Sequence, residues 1–333
     1  MKNLAIIGAG SWGTALAMAL GPRFSRVRLW VYETDLAARM AASRENDAYL
    51  SGFQLSANVE VTSSLAAALE DASIILSAVP SHLVRSLYQQ MLPYLTESMA
   101  FVSATKGLEN GTLLRMSEVI AAVLAPRMAP PVAVISGPTF AKEVAAGQPT
   151  ALVVASTDGG FAERLQTAFS GPVFRLYTSS DTIGVEIGGS IKNVVAIGAG
   201  VLHGLGLGNN PMAALITRGL AEMTRLAVAM GGREQTLAGL AGLGDLVLTC
   251  NGDLSRNRSV GVELAHGRKL DEIVHSMRMV AEGIKTTNAA VDLAKRYSVE
   301  MPIAERMFEM MHSDLAPRVA IQRLMERSLK GEY

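Results

Sequence analysis

A single cysteine, Cys250, stands in the 333 residues. That excludes an internal disulfide framework and a metal site built on several thiolates, and it fits a reducing compartment. Charge of one sign is also missing. Thirty Lys and Arg balance thirty Asp and Glu, so no chain-wide field recruits nucleic acid. Five histidines (His82, His203, His266, His275, His312) lie scattered, without the close pairings of zinc enzymes. Each reads as a surface or supporting histidine, and no metal is expected. No internal repeat or low-complexity segment occurs. Two uncharged stretches imitate membrane signals. Residues 3–21 follow Lys2 but contain Gly8, Gly10 and Gly13, and they lack the n-region and cleavage zone of a signal peptide. Residues 193–217 are long enough to span a bilayer, yet hold five glycines, His203, Asn209, Asn210 and Pro211. A buried core helix followed by a loop fits them better. The expectation is a cytoplasmic protein without stable membrane insertion.

What is present is apolar bulk: 49% of residues are hydrophobic and 18% charged, enough for a large core. The length argues for two domains. Short apolar runs at 4–8, 27–31, 74–79, 100–104, 132–136, 151–155 and 173–177 read as strands. Their continuous apolar character suits a parallel sheet buried on both faces. Helical patterns such as 63–70 and 116–124 alternate with them, which predicts a doubly wound α/β domain. After about residue 181 the strand signals stop. Asn210-Pro211 reads as a helix start. An apolar stripe follows through Met212, Leu215, Ile216, Leu220, Met223, Leu226 and Met230, with Arg218, Glu222 and Arg225 as a polar flank and Gly231-Gly232 as the stop. The fold expected is a Rossmann-type α/β domain, residues 1–185, followed by an all-α domain, residues 186–333. The methionines between Met277 and Met311 read as core filling.

Gly8-Ala9-Gly10-Ser11-Trp12-Gly13 follows the first apolar run and opens a helical stretch. In a dinucleotide site the three glycines provide a tight turn, close backbone approach to pyrophosphate, and tight helix–strand packing. The pyrophosphate then meets free N–H groups at the helix start. Tyr32 and Glu33 stand just past the second strand, about 20 residues on. Glu33 reads either as a partner of the adenine ribose hydroxyls, favouring NAD, or as a solvated loop carboxylate. Tyr32 occupies the place where an arginine favours NADP. The cofactor expected is NAD or NADP.

Three further segments carry chemistry. Lys106 follows a strand at the sheet's carboxyl edge, where open α/β folds bind ligands. Residues 136–141 (Ser-Gly-Pro-Thr-Phe-Ala) do the same after the next strand. Lys192 lies in apolar sequence at the start of the helical domain, an unusual setting for an unpaired lysine. Each lysine alone reads equally well as a snorkelling structural residue, and Asp245 alone as a helix-capping aspartate after Gly244.

Taken together, the segments at 8–12, 78–81, 104–109, 136–144, 191–200, 214–222, 239–250 and 255–257 resemble bacterial NAD(P)-dependent sn-glycerol-3-phosphate dehydrogenases over nearly the whole chain. The run Gly239-Leu-Ala-Gly-Leu-Gly-Asp-Leu-Val-Leu-Thr-Cys250 is the most distinctive. The resemblance implies reversible reduction of dihydroxyacetone phosphate, a small phosphorylated substrate, and a role in glycerophospholipid synthesis. It implies Lys192 as general acid/base, with Lys106 and Asp245 beside it in the catalytic centre. Lys106, Gly137, Thr139, Lys192, Asp245, Ser255, Arg256 and Asn257 become substrate contacts. Ser11, Trp12, Lys106, Ala141, Arg256, Val280 and Glu282 become cofactor contacts. The chain departs from the family at Tyr32, where Arg is frequent, and at Gly208-Asn209-Asn210, where Gly-Asp-Asn is common. A possible homodimer is left open. Two other readings are a two-domain hydroxy-acid or ketoacid dehydrogenase and a non-catalytic NAD(P) sensor.

Overall fold

The apolar run after Lys2 becomes β1 (Asn3–Ile7), and the strands that follow are β2 (Arg26–Trp30), β3 (Glu45–Asn46), β4 (Leu50–Gln54), β5 (Val59–Thr62), β6 (Ile74–Ser77), β7 (Ala100–Ser103), β8 (Val132–Ser136), β9 (Thr150–Ala155) and β10 (Phe174–Ser179). The computed structural model describes residues 2–277, 279–313, 315–329 and 331–332. Eight strands form one sheet in the order β10-β9-β8-β7-β6-β1-β2-β5, while β3 and β4 make a separate hairpin. β1 pairs in parallel with β2 on one side and β6 on the other. The chain therefore reverses its direction of travel across the sheet at the carboxyl ends of β1 and β6, the crevice where ligands bind in such folds.

The continuous apolar runs are buried as expected: every residue of β6 is buried, and four of five in β1. One departure concerns direction. β8 and β9 pair antiparallel, so β9 and its parallel partner β10 oppose the other six strands. The second departure is β5, absent from the expected set. Its sequence Val-Glu-Val-Thr alternates because it is an edge strand, with Glu60 turned toward Arg26 and Arg28.

After Ser179 no strand occurs among the described residues. Asp181 caps the Thr182–Gly204 helix by accepting the Gly184 N–H at 2.8 Å. This helix is long and apolar enough to cross a membrane, but its apolar window is buried inside the protein and only its end, at His203, is exposed. The helices Asn209–Ala229, Arg256–Ala265 and Glu282–Tyr297 wrap around it. Two expectations need correction here. The second helix begins at Asn209, and no side chain caps it, because the extended backbone of Gly208 turns the chain one residue earlier. Glu222 is not part of a polar flank: it is buried, and its carboxylate accepts the Ile303 N–H at 2.8 Å. A helix starting at Pro302 exposes unpaired N–H groups, and Glu222 satisfies them from across the core.

Candidate functional site

The glycine turn assigns a separate role to each glycine. Gly8 sits at φ +112°, and a Cβ there would lie 2.7 Å from the Val79 side chain. At Gly13 an added Cβ would lie 1.8 Å from the Gly8 carbonyl oxygen, so only glycine lets the Ser11–Leu20 helix pack this close to β1. Gly10, by contrast, faces open space with nothing within 4 Å. No side chain caps the helix that starts after it, so its first N–H groups lack an intrahelical partner, and Gly10, Ser11 and Trp12 at this helix start line the crevice. The buried indole nitrogen of Trp12 also has no hydrogen-bond partner among the described residues. A diphosphate seated over Gly10 fits this cradle.

The crevice has a volume of about 650 Å³, within the range of roughly 300–1,000 Å³ typical of small-molecule sites. Its walls include Gly8, Gly10, Ser11, Trp12, Tyr32, Glu33, Lys106, Thr139, Ala141, Lys192, Ser255, Arg256, Asn257, Val280 and Glu282. Gly13, Gly137 and Asp245 stand behind the wall. The carbonyl of Gly137 accepts from Lys106 Nζ at 2.9 Å. Tyr32 is 79% exposed, whereas Glu33 is half-buried and accepts the Tyr49 hydroxyl at 2.7 Å.

The densest chemistry lies where the two halves of the chain meet. A π-type turn at Leu240–Gly244 leads into the Asp245–Asn251 helix and sets Asp245 at its first position. Asp245 is fully buried. Its Oδ1 takes Lys192 Nζ at 2.5 Å, and its Oδ2 takes Lys106 Nζ at 2.7 Å. One carboxylate thus holds an ammonium from the helical half and another from the sheet's edge. Thr249, one turn after Asp245, accepts from Lys192 Nζ at 2.7 Å and lines the crevice. Sequence reasoning missed Thr249, since a hydroxyl inside a helix carries no signal of its own. Its four-residue spacing from Asp245 was the available clue. Lys106 also donates to Thr139 Oγ1 at 3.3 Å.

Burial lowers the Lys192 pKa from 10.5 to about 7; the Asp245 charge pulls it up, and Lys106 pushes it further down. Which influence wins, open from sequence, is settled by desolvation. A lysine poised near neutrality both gives and takes a proton there. Burial raises the Cys250 thiol to about 12, which makes it an inert core residue rather than a nucleophile.

The remaining expected contacts line the crevice and are also held by bonds within the protein. Ser255 spends its hydroxyl capping the Arg256–Ala265 helix on Arg258 N–H at 3.2 Å. Asn257 donates to Asn193 at 2.9 Å and accepts the Gly283 N–H at 2.9 Å. Arg256 reaches the Val280 carbonyl at 2.9 Å. Glu282 crosses between the halves to accept Ser81 N–H at 3.0 Å and Ser81 Oγ at 2.6 Å.

Comparison with known proteins agrees with this architecture. The family model described as NAD-dependent glycerol-3-phosphate dehydrogenase N-terminus matches residues 3–162, and its C-terminus counterpart matches residues 181–322. A Koribacter versatilis protein named glycerol-3-phosphate dehydrogenase [NAD(P)+] is 56% identical over 98% of both chains. A protein of the same name from Citrifermentans bemidjiense is 51% identical over 99% of both. The crystal structure of a Coxiella burnetii glycerol-3-phosphate dehydrogenase is 43% identical, with a TM-score of 0.93 over 98% of this chain and 99% of that one. Matched along both halves, the chain belongs to the NAD-dependent glycerol-3-phosphate dehydrogenase family.

Proposed function

We propose that this chain catalyses the reversible, NAD(P)H-dependent reduction of dihydroxyacetone phosphate to sn-glycerol 3-phosphate, in the cytoplasm, supplying glycerophospholipid synthesis. Residues 1–185 hold the dinucleotide, and residues 186–333 bring the proton donor and the phosphate contacts. The observation that carries the reading is the buried Asp245 carboxylate joining Lys192 and Lys106 at the crevice wall.

The bound dinucleotide supplies hydride to the C2 ketone. Negative charge then develops on the ketone oxygen, which needs a positive field and a proton. Lys192 Nζ supplies both, and Asp245 and Thr249 fix its direction. Lys106 adds a second cation beside the oxygen, its position set by Gly137 O and Asp245. In the reverse direction neutral Lys192 accepts the alcohol proton. The phosphate is met by Arg256 and the start of its helix, with Asn257 held in place by Asn193 and Gly283. A non-catalytic sensor has no use for a lysine held near neutrality, and a hydroxy-acid enzyme would place carboxylate contacts where this chain has Ser255-Arg256-Asn257.

Initial rates with dihydroxyacetone phosphate, unphosphorylated dihydroxyacetone and a branched 2-keto acid test the reading. Removing the phosphate is expected to lower kcat/KM by roughly a hundredfold, which two charge-assisted hydrogen bonds at about 1.5 kcal/mol each imply. Preference for the keto acid would overturn the substrate assignment.

A further inference from the structure

We propose that Glu33, locked by Tyr49, makes this enzyme select NADH over NADPH. The inference rests on the dinucleotide reading above and names which form of the cofactor the site takes.

Glu33 follows β2 on the crevice wall, where the adenine ribose of a dinucleotide lies in this fold. Its Oε1 is occupied by the Tyr49 hydroxyl at 2.7 Å, which leaves Oε2 to accept from a ribose hydroxyl. Tyr49 is itself fixed to the glycine turn. Its N–H donates to Asn46 Oδ1 at 3.0 Å, and fully buried Asn46 donates to Ala9 O and Thr14 Oγ1, each at 2.8 Å. The Tyr49 carbonyl accepts Ser11 Oγ at 2.8 Å. The carboxylate therefore has a set position relative to the pyrophosphate cradle instead of swinging with its loop.

The charge around it disfavours a 2′-phosphate. The nearest basic side chain on the adjoining Thr34–Ser43 helix, Arg39, is held by Asp35 at 3.0 Å and Asp47 at 3.1 Å. Arg44 is turned to the Leu55 and Ser56 carbonyls. Among the described residues the crevice wall holds four cations, Lys106, Lys142, Lys192 and Arg256, and all lie on segments after β7 or in the helical half. A ribose diol finds an acceptor here, while a 2′-phosphate dianion meets a fixed carboxylate without a free cation beside it among the described residues.

Equilibrium binding by calorimetry, without substrate, tests this with NADH, NADPH, 5′-AMP and 2′,5′-ADP as probes. The unaltered protein is expected to bind NADH at least about tenfold tighter than NADPH, and 5′-AMP tighter than 2′,5′-ADP, as loss of one charged hydrogen bond implies. Glu33→Gln should bring both ratios to within about threefold. Tyr49→Phe should narrow them partway, which loss of loop packing alone would not do, since packing affects both nucleotides alike. Equal or tighter NADPH binding by the unaltered protein, or ratios unmoved in Glu33→Gln, would overturn the proposal. Failure of all four probes to bind would refute the dinucleotide reading itself.

Discussion

Replacing Asp245 with asparagine separates a charge effect from a shape effect at the centre of the site. The carboxylate takes both lysine ammoniums, at 2.5 and 2.7 Å, with Lys192 and Asp245 side chains 7% and 1% exposed. An amide of the same size offers one acceptor oxygen and turns an N–H toward the other lysine. Removing one partner of a buried pair typically costs about 3–5 kcal/mol, but Lys192 has an escape. Its pKa already lies near 7 because burial outweighs Asp245; without that charge it falls further, and the side chain becomes neutral. The stability loss should therefore be smaller than that range at pH 8 and larger at pH 6, read by denaturant unfolding. The catalytic consequence differs with direction. On the proposed mechanism ketone reduction needs protonated Lys192, so in the unaltered enzyme its rate is expected to fall as pH rises through about 7. Alcohol oxidation needs the neutral amine and rises through the same pH. In Asp245→Asn the reduction profile should shift to lower pH, with a loss at pH 7.5 of about 10²–10⁴, the usual worth of a positioned acid. Stopped-flow rates of cofactor oxidation between pH 5.5 and 9 measure both. An unmoved profile with activity within threefold of the unaltered enzyme, given that range, would refute the assignment of Asp245 as the charge that sets the lysine.

Three further perturbations have clear expectations. Gly10→Ala places its methyl in open crevice, so melting should be unchanged while dinucleotide affinity drops about tenfold from obstructed backbone approach, read by fluorescence titration. Burial raises the Glu222 carboxyl to about 7, so its contribution is full below its unfolded pKa and is lost as pH rises through about 7. Glu222→Gln should accordingly look better relative to the parent in thermal melts at pH 8 than at pH 5. Glu186, buried, holds Arg115 at 2.7 Å and accepts Ser117 N–H at 2.8 Å across the two halves of the chain. Glu186→Ala leaves that guanidinium with Glu118 at 2.8 Å and Ser117 Oγ at 3.3 Å, so chemical denaturation should show a loss below the about 3–5 kcal/mol of a fully unpaired buried charge.

The sequence exposed those parts of the fold whose signal is local. Gly8 and Gly13 announce their roles because each is forced at its own position, Gly8 by its positive φ and Gly13 by its close approach to the Gly8 carbonyl, and buried strands such as β6 and β8 read as apolar runs. β5 and the β3–β4 hairpin escaped because they lie outside the doubly covered part of the sheet and carry Glu60, Ser51 and Gly52 on partly exposed backbone. The opposed direction of β9 was not legible, since strand direction is decided by pairing rather than composition. In the site, Lys106 and Lys192 stood out as cations in unusual places, but their meeting at Asp245, across 139 and 53 residues of chain, is a property of the folded arrangement. Glu222 misled for the same reason: a charged residue beside an apolar stripe reads as solvated until a distant helix start, Pro302, is brought to it.

The proposed mechanism has Lys192 transfer the proton while the crevice holds the dinucleotide. Its most direct test is cofactor oxidation by the unaltered protein and by Lys192→Ala with dihydroxyacetone phosphate, beside NADH binding to both. Turnover that falls by about 10²–10⁴ in the variant with NADH binding intact is the predicted result. Undiminished turnover in Lys192→Ala, or no turnover by a parent that binds NADH tightly, would contradict the account.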